Sequence, residues 1–485
     1  MVHEVDFRCQ LSETCGPLSH AWEHTVGSGH AALGLRADWQ AQLARCHREL
    51  GFGHVRFHAI LSDSMGAVSC EKKELIYSFH NADIIFDFLV SIGMKPLVEL
   101  SFMPQALASG HQTVFHYHAN VTPPQDYDKW AQLIRKLADH WVDRYGVVEV
   151  RSWMFEVWNE PNLPSFWPAK QSDYFKLYRV TAKALKGVDR QLRVGGPVTA
   201  KNAWIGEFLD YTQKHRLPVD FVSTHHYPTD ALGSEEEDTE SELAASRRGI
   251  LRQWAQDTHC ACRGKPLYYT EWSSSSDPRD HLHDESYTAA VVVKTMIEAN
   301  HLTEGYSFWT FSDIFSEHNF PAQPFHGGFG LLNIHGVAKP SYRAFQLLHG
   351  LGDELILVDG IHPTVDCWAV RKGKAIQIVL TNHTLPRHHI RSHDVRLALK
   401  SDVRPVRVTI ERIDEDHANV RRAWEKLGRP QYPTAAQLRH LHEASEMRSR
   451  PLAWHYRNRS IDLRLTLPVE AVACVKLEFE SAGKD

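Results

Sequence analysis

Two glutamates stand where apolar runs of the chain end. Glu160 follows the run Phe155-Glu156-Val157-Trp158-Asn159, and Pro161 prevents that run from continuing as a central strand. Glu271 follows Leu267-Tyr268-Tyr269-Thr270 and precedes Trp272 and a serine-rich stretch. Two carboxyl groups can share one reaction when one transfers a proton and the other attacks the substrate or stabilises positive charge.

Glycoside hydrolysis is a reaction that needs such a pair. One carboxyl group protonates the leaving oxygen, while the other supports or attacks the anomeric carbon. A separation of roughly 5 to 5.5 Å makes the second group a nucleophile, and the configuration is then retained. Burial beside an anionic Glu271 would raise the pKa of Glu160 and keep it protonated. The hypothesis therefore assigns Glu160 as general acid/base and Glu271 as nucleophile.

Short apolar runs alternate with longer amphipathic stretches from about residue 20 to residue 350. The predicted strands are His24–Ser28, His54–His58, Pro96–Ser101, Ser152–Trp158, Arg193–Pro197, Val219–His225, Pro266–Trp272 and Gly305–Phe311. The predicted helices are Asp38–Leu50, Ala82–Ile92, Tyr127–Tyr145, Ser172–Lys186, Trp204–His215, Ser246–Asp257, Tyr287–Asn300 and Lys339–Leu348. Successive β-then-α units are typical of a (β/α)8 TIM barrel, an α/β fold whose catalytic groups lie at the carboxyl ends of the strands. Glu160 and Glu271 would belong to strands four and seven.

The remaining sequence is richer in β-type alternation. Predicted strands are Leu355–Val358, Cys367–Val370, Ala375–Leu380, Val395–Leu399, Val406–Ile413 and Ala471–Phe479, a pattern that favours a C-terminal β-sandwich. We therefore expect a catalytic barrel over residues 19–350 and a β-sandwich over residues 351–485, with a helical insertion near residues 419–448. Residues 1–18 are expected to add to the sandwich.

The composition of the chain limits the binding partners and the cellular compartment that we expect. The 54 Lys and Arg residues nearly balance the 59 Asp and Glu residues, so nothing favours nucleic acid or an anionic membrane as a partner. The first ten residues include His3, Glu4, Asp6 and Arg8, and no uninterrupted apolar stretch reaches about 18 residues, so we expect neither a secretory signal nor a membrane span. A cytoplasmic protein that acts on a small neutral oligosaccharide fits these features. A homo-oligomer is compatible with them.

Metal and cofactor motifs are not evident. The 32 histidines include the adjacent pair His225 and His226, and the sequence contains no HExxH motif. The two-carboxylate mechanism needs neither a metal nor a cofactor. We therefore expect no metal site and no cofactor.

The chain resembles glycoside hydrolase family 39, a group of retaining (β/α)8 glycosidases. The resemblance rests on the segments Trp158-Asn159-Glu160-Pro161-Asn162, Tyr269-Thr270-Glu271-Trp272, Ser223–Pro228, Phe308–Phe315, Pro324–Leu332 and Lys339–Tyr342. It covers the barrel and, more weakly, the predicted sandwich.

The resemblance also implies roles for further residues. Asn159 would bond the sugar 2-hydroxyl, His225 and Tyr227 would line the pocket beside the nucleophile, and Tyr227 would donate to Glu271. Trp309 would form the floor under the sugar ring, and Glu317 would accept from distal hydroxyls. Arg56 and His58 would lie near the nucleophile and the distal hydroxyls. The alternatives are a barrel-core Trp309, a structural His58 and a buried ion-paired Arg56. Phe115 and Trp167 could narrow the entrance.

The expected substrate is a β-xyloside at the non-reducing end of short xylo-oligosaccharides. α-L-Iduronidases resemble this chain but have Asp where it has Asn162, and no Lys or Arg occurs from Phe308 to Phe329 to bind a uronate. Xylose has no substituent on C5 and suits a tight aromatic pocket. The alternatives are an α-L-arabinopyranosidase, an α-L-iduronidase, and a sugar-binding barrel without catalysis.

Overall fold

The computed structural model describes residues 4–229, 238–317 and 320–480. In its first part the strands are β1 (Glu4–Pro17), β2 (Thr25–His30), β3 (His54–His58), β4 (Val68–Glu71), β5 (Glu74–Tyr77), β6 (Lys95–Leu100), β7 (Thr113–Val114), β8 (Ala119–Asn120), β9 (Met154–Val157), β10 (Arg193–Thr199), β11 (Phe221–His226), β12 (Leu267–Trp272) and β13 (Gly305–Phe308). The helices are α1 (Ala37–Leu50), α2 (His80–Ser91), α3 (Tyr127–Tyr145), α4 (Val147–Arg151), α5 (Gln171–Val188), α6 (Ile205–Lys214), α7 (Thr239–Ala245), α8 (Ile250–Ala261), α9 (Ser286–Glu298) and α10 (Pro340–His349).

Eight parallel strands close into a barrel in the order β2-β3-β6-β9-β10-β11-β12-β13, and β13 pairs back to β2. The predicted (β/α)8 barrel is therefore confirmed. The observed strands differ from the predicted ones only by a few residues at their ends. Two small hairpins, β4–β5 and β7–β8, project from the loops after the second and third barrel strands.

Helix α3 shows how the sequence specifies the outer layer. The side chain of Asp126 accepts from the backbone N–H groups of Asp128 and Lys129 at the N-terminus, and Gly146 ends the helix with a φ of 82°. Residues three and four positions apart face the barrel, namely Trp130, Leu133, Ile134, Leu137, Ala138 and Trp141.

The helix predicted over Ser246–Asp257 begins later than expected. Gly249 adopts the left-handed conformation with a φ of 80°, so α8 starts at Ile250 and continues to Ala261. The shorter helix α7 precedes it, with Asp238 as its N-cap. Apolar periodicity alone does not mark this interruption, although the glycine does.

The second part of the chain forms strands β14 (Glu354–Asp359), β15 (Val365–Lys372), β16 (Ala375–Asn382), β17 (His393–Lys400), β18 (Arg407–Ile413), β19 (Arg450–Pro451), β20 (Trp454–Arg457), β21 (Ser460–Leu467) and β22 (Ala471–Glu478). They join β1 in a ten-stranded sheet of order β19-β18-β22-β16-β15-β14-β1-β17-β21-β20. Inward side chains from both halves of this sheet fill one separate core, as in a β-sandwich. Strands β19, β20 and β21 were not predicted, although Ile461, Leu463, Leu465 and Leu467 alternate clearly in β21.

A helical insertion between β18 and β19 packs on the barrel of its own chain. It contains α11 (Val420–Lys426) and α12 (Ala435–Ala444). The ring of Trp424 lies 5.3 Å from that of Phe325, in the loop after the eighth barrel strand. Arg343 in α10 donates to the carbonyl of Ser445 at 2.7 Å. The insertion therefore supports a loop at the barrel mouth.

None of the helices in the described ranges combines the length and the apolar character needed for a bilayer crossing.

Two glycines allow aromatic rings to pack against barrel strands. A Cβ atom on Gly195 in β10 would lie 2.3 Å from the ring of Phe221 in β11. A Cβ atom on Gly27 in β2 would lie 2.5 Å from the indole of Trp309. Both positions therefore require the absence of a side chain.

We predict that Gly195→Ala lowers the free energy of unfolding by about 1–3 kcal/mol, because the added methyl group overpacks the core against Phe221. Urea denaturation would measure the change. Gly187→Ala is the matched control, since a Cβ atom there meets nothing within 4 Å and alanine favours the helix. Equal stability of the two variants would contradict the packing argument.

Candidate active site

The two predicted glutamates meet at the barrel mouth. Glu160 follows β9 and Glu271 lies within β12, and each is 5% exposed. One oxygen of each carboxyl group and the Nδ1 atom of His225 all lie within 4.8 Å of one another. The two carboxyl groups are thus close enough to act on the same bond.

The backbone of Glu160 has an unusual conformation that neighbouring strands hold in place. Its φ is 42°, in the left-handed region, where a residue with a side chain is strained. Its N–H group donates to the carbonyl of Val198 at 2.8 Å. The hydroxyl of Tyr174 lies 3.1 Å from the carbonyl oxygen of Val157 and 2.7 Å from that of Pro197. These contacts fix the direction of the Glu160 side chain.

Asn162 anchors the loop that carries Glu160. Its side-chain amide donates to the carbonyl of Ala200 at 3.1 Å, and its oxygen accepts from the N–H group of Ala200 at 2.8 Å. An ionised aspartate could make only the second of these bonds. Asn162 therefore acts on the loop and does not line the pocket.

Arg56 joins the acidic side chains beneath the pocket. Its guanidinium donates to Glu271 at 2.7 Å, to Glu156 at 2.7 Å and to the Asn159 side-chain oxygen at 2.9 Å, and it lies 2.7 Å from Glu99. Burial opposes the charge of Arg56, but the three carboxylates outweigh burial and raise its pKa. Arg56 is fully buried and does not line the pocket, which matches the alternative of an ion-paired arginine.

His58 lies between three carboxyl groups. Its Nδ1 atom is 2.6 Å from Glu99, and its Nε2 atom is 3.5 Å from both Glu271 and Glu317. Burial lowers the pKa of His58, but the negative charges of Glu99, Glu271 and Glu317 outweigh it and raise the pKa to about 9. His58 is therefore an imidazolium at neutral pH, and it lines the pocket.

His225 and Tyr227 contact the two glutamates directly. His225 Nδ1 lies 2.9 Å from Glu160 and 3.6 Å from Glu271, and the Tyr227 hydroxyl donates to Glu271 at 2.9 Å. Burial and the charges of Arg56 and His58 hold the pKa of His225 well below its usual value, so the ring is neutral. Tyr227 lines the pocket, whereas His225 is completely buried behind Glu160.

Two of the carboxyl groups favour their protonated form. Burial, followed by the negative charge of Glu271, raises the pKa of Glu160 well above its usual value, against the opposing charges of His58 and Arg56. Burial is the main cause that raises the pKa of Glu317 to about 8. The positive charge of His58 opposes this rise, and the negative charges of Glu271 and Glu99 add to it. At neutral pH Glu160 can therefore donate a proton.

The pocket above these groups is narrow and largely aromatic. Its lining comprises His58, Phe115, Asn159, Glu160, Phe166, Tyr227, Glu271, Ser276, Pro278, Trp309, Glu317 and Phe329. Trp309 is 3% exposed, and its ring centroid lies 4.8 Å from that of His58. Trp167 was expected to narrow the entrance, but it does not line the pocket. It packs behind the wall against Trp158. Phe166, its neighbour, lies in the wall instead.

Glu99 and Glu156 were not predicted as site residues, yet both contact Arg56. Each is completely or almost completely buried in a barrel strand, Glu99 in β6 and Glu156 in β9. The available signal was a charged residue within an otherwise apolar strand sequence. A buried carboxylate needs a partner, so such a residue on a predicted barrel strand predicts a buried cation nearby.

The cluster of Glu160, His225 and Glu271 also has the spacing of a metal site. Arg56 and the imidazolium of His58 already balance the negative charge there, and they would repel an added cation. The described side chains therefore suit a proton donor and a nucleophile better than they suit a metal ion.

A (β/α)8 barrel with two carboxyl groups on its fourth and seventh strands defines the class of two-carboxylate glycoside hydrolases. A model of the family described as Glycosyl hydrolases family 39 matches residues 5–459. The chain belongs to glycosyl hydrolase family 39.

Curated relatives and solved structures agree with this assignment. A β-xylosidase from Caldicellulosiruptor saccharolyticus is 46% identical over 471 residues, which cover 96% of each chain. A β-xylosidase from Geobacillus stearothermophilus is 37% identical over 85% of this chain and 84% of that relative. The structure of a family 39 β-xylosidase from Caulobacter crescentus has a TM-score of 0.82 and 33% identity, covering 98% of this chain and 99% of that one.

A buried charge cluster fixes the glycine-rich segment that borders the pocket. Lys339 Nζ lies 2.7 Å from both Asp284 and Asp313 and donates to the carbonyl of Gly328 at 2.8 Å. Gly327 N–H donates to Asp284 and Gly330 N–H donates to Asp313, each at 2.7 Å. This arrangement explains why the His-Gly-Gly-Phe-Gly and Lys-Pro-Ser-Tyr segments belong together, since it holds the backbone around Phe329 in the pocket wall.

We predict that Lys339→Met lowers the free energy of unfolding by about 3–5 kcal/mol, because it leaves two buried carboxylates without their cation. Denaturant titration would measure the loss. Arg459→Met is the control, since the Arg459–Asp402 pair is about four-fifths exposed and should contribute little. A Lys339→Met protein as stable as this control would show that the buried cluster does not stabilise the loop.

Proposed function

We propose that the chain is a retaining β-xylosidase that releases xylose from the non-reducing ends of short xylo-oligosaccharides by double displacement. The observation that carries this proposal is the pair of buried carboxyl groups with oxygens within 4.8 Å. That spacing suits direct attack and leaves too little room for the water that inversion places between the groups. The β-xylosidase relatives support the choice of sugar.

In the first step Glu271 acts as the nucleophile and Glu160 as the general acid. Arg56 and Tyr227 each hold one oxygen of Glu271 and orient it. Glu160, protonated because of its raised pKa, transfers its proton to the oxygen of the leaving group. The glycosidic bond breaks as the Glu271 oxygen bonds to the anomeric carbon, which yields a glycosyl ester with inverted configuration.

In the second step the loss of one charge changes the role of Glu160. Once Glu271 is esterified, its negative charge no longer raises the pKa of Glu160. Glu160 can then accept a proton from water as the water oxygen attacks the anomeric carbon. The ester bond breaks, Glu271 leaves as a carboxylate, and the second inversion restores the original configuration.

The pocket supports a neutral sugar without a C5 substituent. No Lys or Arg side chain occurs among its lining residues in the described ranges, so a uronate carboxylate would have no such clamp. Trp309 offers an apolar face to the ring. Oε1 of Glu317 lies 3.5 Å from His58 Nε2 but makes no hydrogen bond within the described ranges, and a sugar hydroxyl would supply one. Asn159 is the proposed contact of the 2-hydroxyl.

The expected organisation of the chain extends this proposal. Residues 19–350 would be the catalytic domain, and residues 351–485 with residues 1–18 the accessory sandwich; residues 1–3 and 481–485 lie outside the described part. The pairing of β1 with β14 and β17 supports this division. All eight cysteines are free thiols, which suits a reducing compartment such as the cytoplasm.

We predict that Glu160→Ala slows cleavage of a xyloside with a poor leaving group by about 100- to 10,000-fold, because general-acid assistance is lost. Dinitrophenyl xyloside, whose leaving group needs little protonation, should react at nearly the original rate in the first step. Steady-state and burst kinetics on the two substrates would measure this difference.

The azide product distinguishes the roles of the two glutamates. Azide added to Glu160→Ala should give the xylosyl azide of retained configuration, whereas azide added to Glu271→Ala should give the inverted one. Glu411→Ala, in β18 of the ten-stranded sheet and outside the pocket lining, is the control and should leave the kinetics unchanged. Equal slowing of good and poor leaving groups by Glu160→Ala would contradict the assignment of the acid.

A further inference from the structure

Glu99 is an acidic residue of the site that the two-step reaction does not use directly. It lies near the end of β6 and is 1% exposed. One of its oxygens is 2.6 Å from His58 Nδ1 and 2.7 Å from Arg56 Nη2, and the other accepts from the Ser101 hydroxyl. Burial opposes its charge, but His58 and Arg56 outweigh burial and lower the pKa of Glu99. Glu99 is therefore a carboxylate, and it does not line the pocket.

The contact with Glu99 determines which nitrogen of His58 faces the pocket. Because Nδ1–H donates to Glu99, Nε2 is the atom 3.5 Å from Glu271 and from Glu317. With Nε2 protonated, the ring attracts both carboxyl groups. Without that proton, a nitrogen lone pair would face the Glu271 carboxylate and repel it. The charge of His58 thus determines whether its ring attracts Glu271 and Glu317 and keeps them in place.

The other groups around His58 change their charge during the reaction, carry little charge or, like Arg56, oppose the proton on His58. Glu271 loses its charge when it is esterified, and Glu317, with a pKa raised by burial to about 8, is mostly uncharged at neutral pH. His30 is neutral, because burial and its neighbours lower its pKa to about 4. Arg56 and His58 repel each other, and Glu160 is protonated in the resting state. Glu99 is the carboxylate facing His58 whose charge stays constant throughout.

We propose that Glu99 is a positioning residue that keeps His58 protonated through both steps, so that the Nε2–H group of His58 holds Glu271 and Glu317 in place around the sugar. This inference rests on the proposed function of Glu160 and Glu271. Glu99 itself touches neither the sugar nor the reacting atoms. It acts through the charge that it imposes on His58.

The sign of the pH effect follows from this role. The active form of His58 is the charged one, which exists below its pKa of about 9. A neighbouring opposite charge raises the pKa of a histidine by roughly one to three pH units, so its removal should lower that pKa by a similar amount. Activity should then be lost from a lower pH upward, over the range in which His58 rather than Glu160 loses its proton. If Glu99 had only a packing role, the basic limb would stay where it is.

The test is the pH profile of kcat/KM for Glu99→Gln, a variant of the same shape without the charge. We expect the basic limb to move down by about one pH unit or more. Imidazole ¹⁵N spectra, with His58 assigned by comparison with His58→Gln, should show His58 losing its proton over the same lower range. Glu411→Gln is the matched control and should leave the profile unchanged. A basic limb and a His58 titration identical to those of the unchanged protein would overturn the proposal.

A second measurement on the unchanged protein covers the case in which Glu99→Gln does not fold. A fluorinated xyloside would trap the glycosyl ester, and the ¹⁵N signal of His58 would be recorded at pH 7 before and after trapping. We expect an imidazolium in both states, since Glu99 is still charged. Deprotonation on trapping would show that Glu271 holds the proton on His58 and would overturn the role of Glu99. Mass spectrometry would check that the ester forms, and a failure to form it would contradict the proposed function. A neutral His58 in the free protein would contradict the proposed role of Glu99.

Discussion

The buried guanidinium of Arg56 is the interaction on which the rest of the site depends. A charge that is removed from water is stable only when opposite charges and hydrogen bonds replace the water. Arg56 has Glu99, Glu156, Glu271 and Asn159 within 2.7 to 2.9 Å, so side chains from the third, fourth and seventh barrel strands converge on one group. The same contacts set the position of Glu271, the proposed nucleophile. In the proposed mechanism, stability beneath the pocket and catalysis within it therefore depend on one set of contacts.

The surroundings of Glu160 and Glu271 determine which of the two carries a proton. Glu160 and Glu271 are the same residue type at equivalent depths, but Glu271 contacts Arg56 and Tyr227, whereas Glu160 contacts a neutral histidine. Burial and the nearby charge of Glu271 favour the protonated form of Glu160. In the proposed reaction Glu271 loses that charge when it is esterified, so the change of Glu160 from acid to base needs no movement of the chain.

The barrel was predictable because its elements repeat and their periodicity is local. Each barrel strand and most barrel helices lie within a few residues of their predicted positions, and the position of Glu160 and Glu271 at strand ends followed from the strand count. The later start of α8 depended on one left-handed glycine, and the pairing partners of the ten-stranded sheet depend on contacts distant in sequence. The Glu99–His58–Arg56 contacts join residues more than 40 positions apart, so local patterns could indicate a buried charge but not its partner. The helical insertion was predicted from the sequence, but its packing partner was not. Only the structure shows that Trp424 contacts Phe325.

Proton NMR during the first minutes of hydrolysis of a β-xyloside tests the central claim most directly, since the anomer released first records how many displacements occurred. Two carboxyl groups this close predict β-xylose as the first product, with α-xylose formed later by mutarotation. Release of α-xylose first would mean a single displacement by water and would contradict Glu271 as nucleophile.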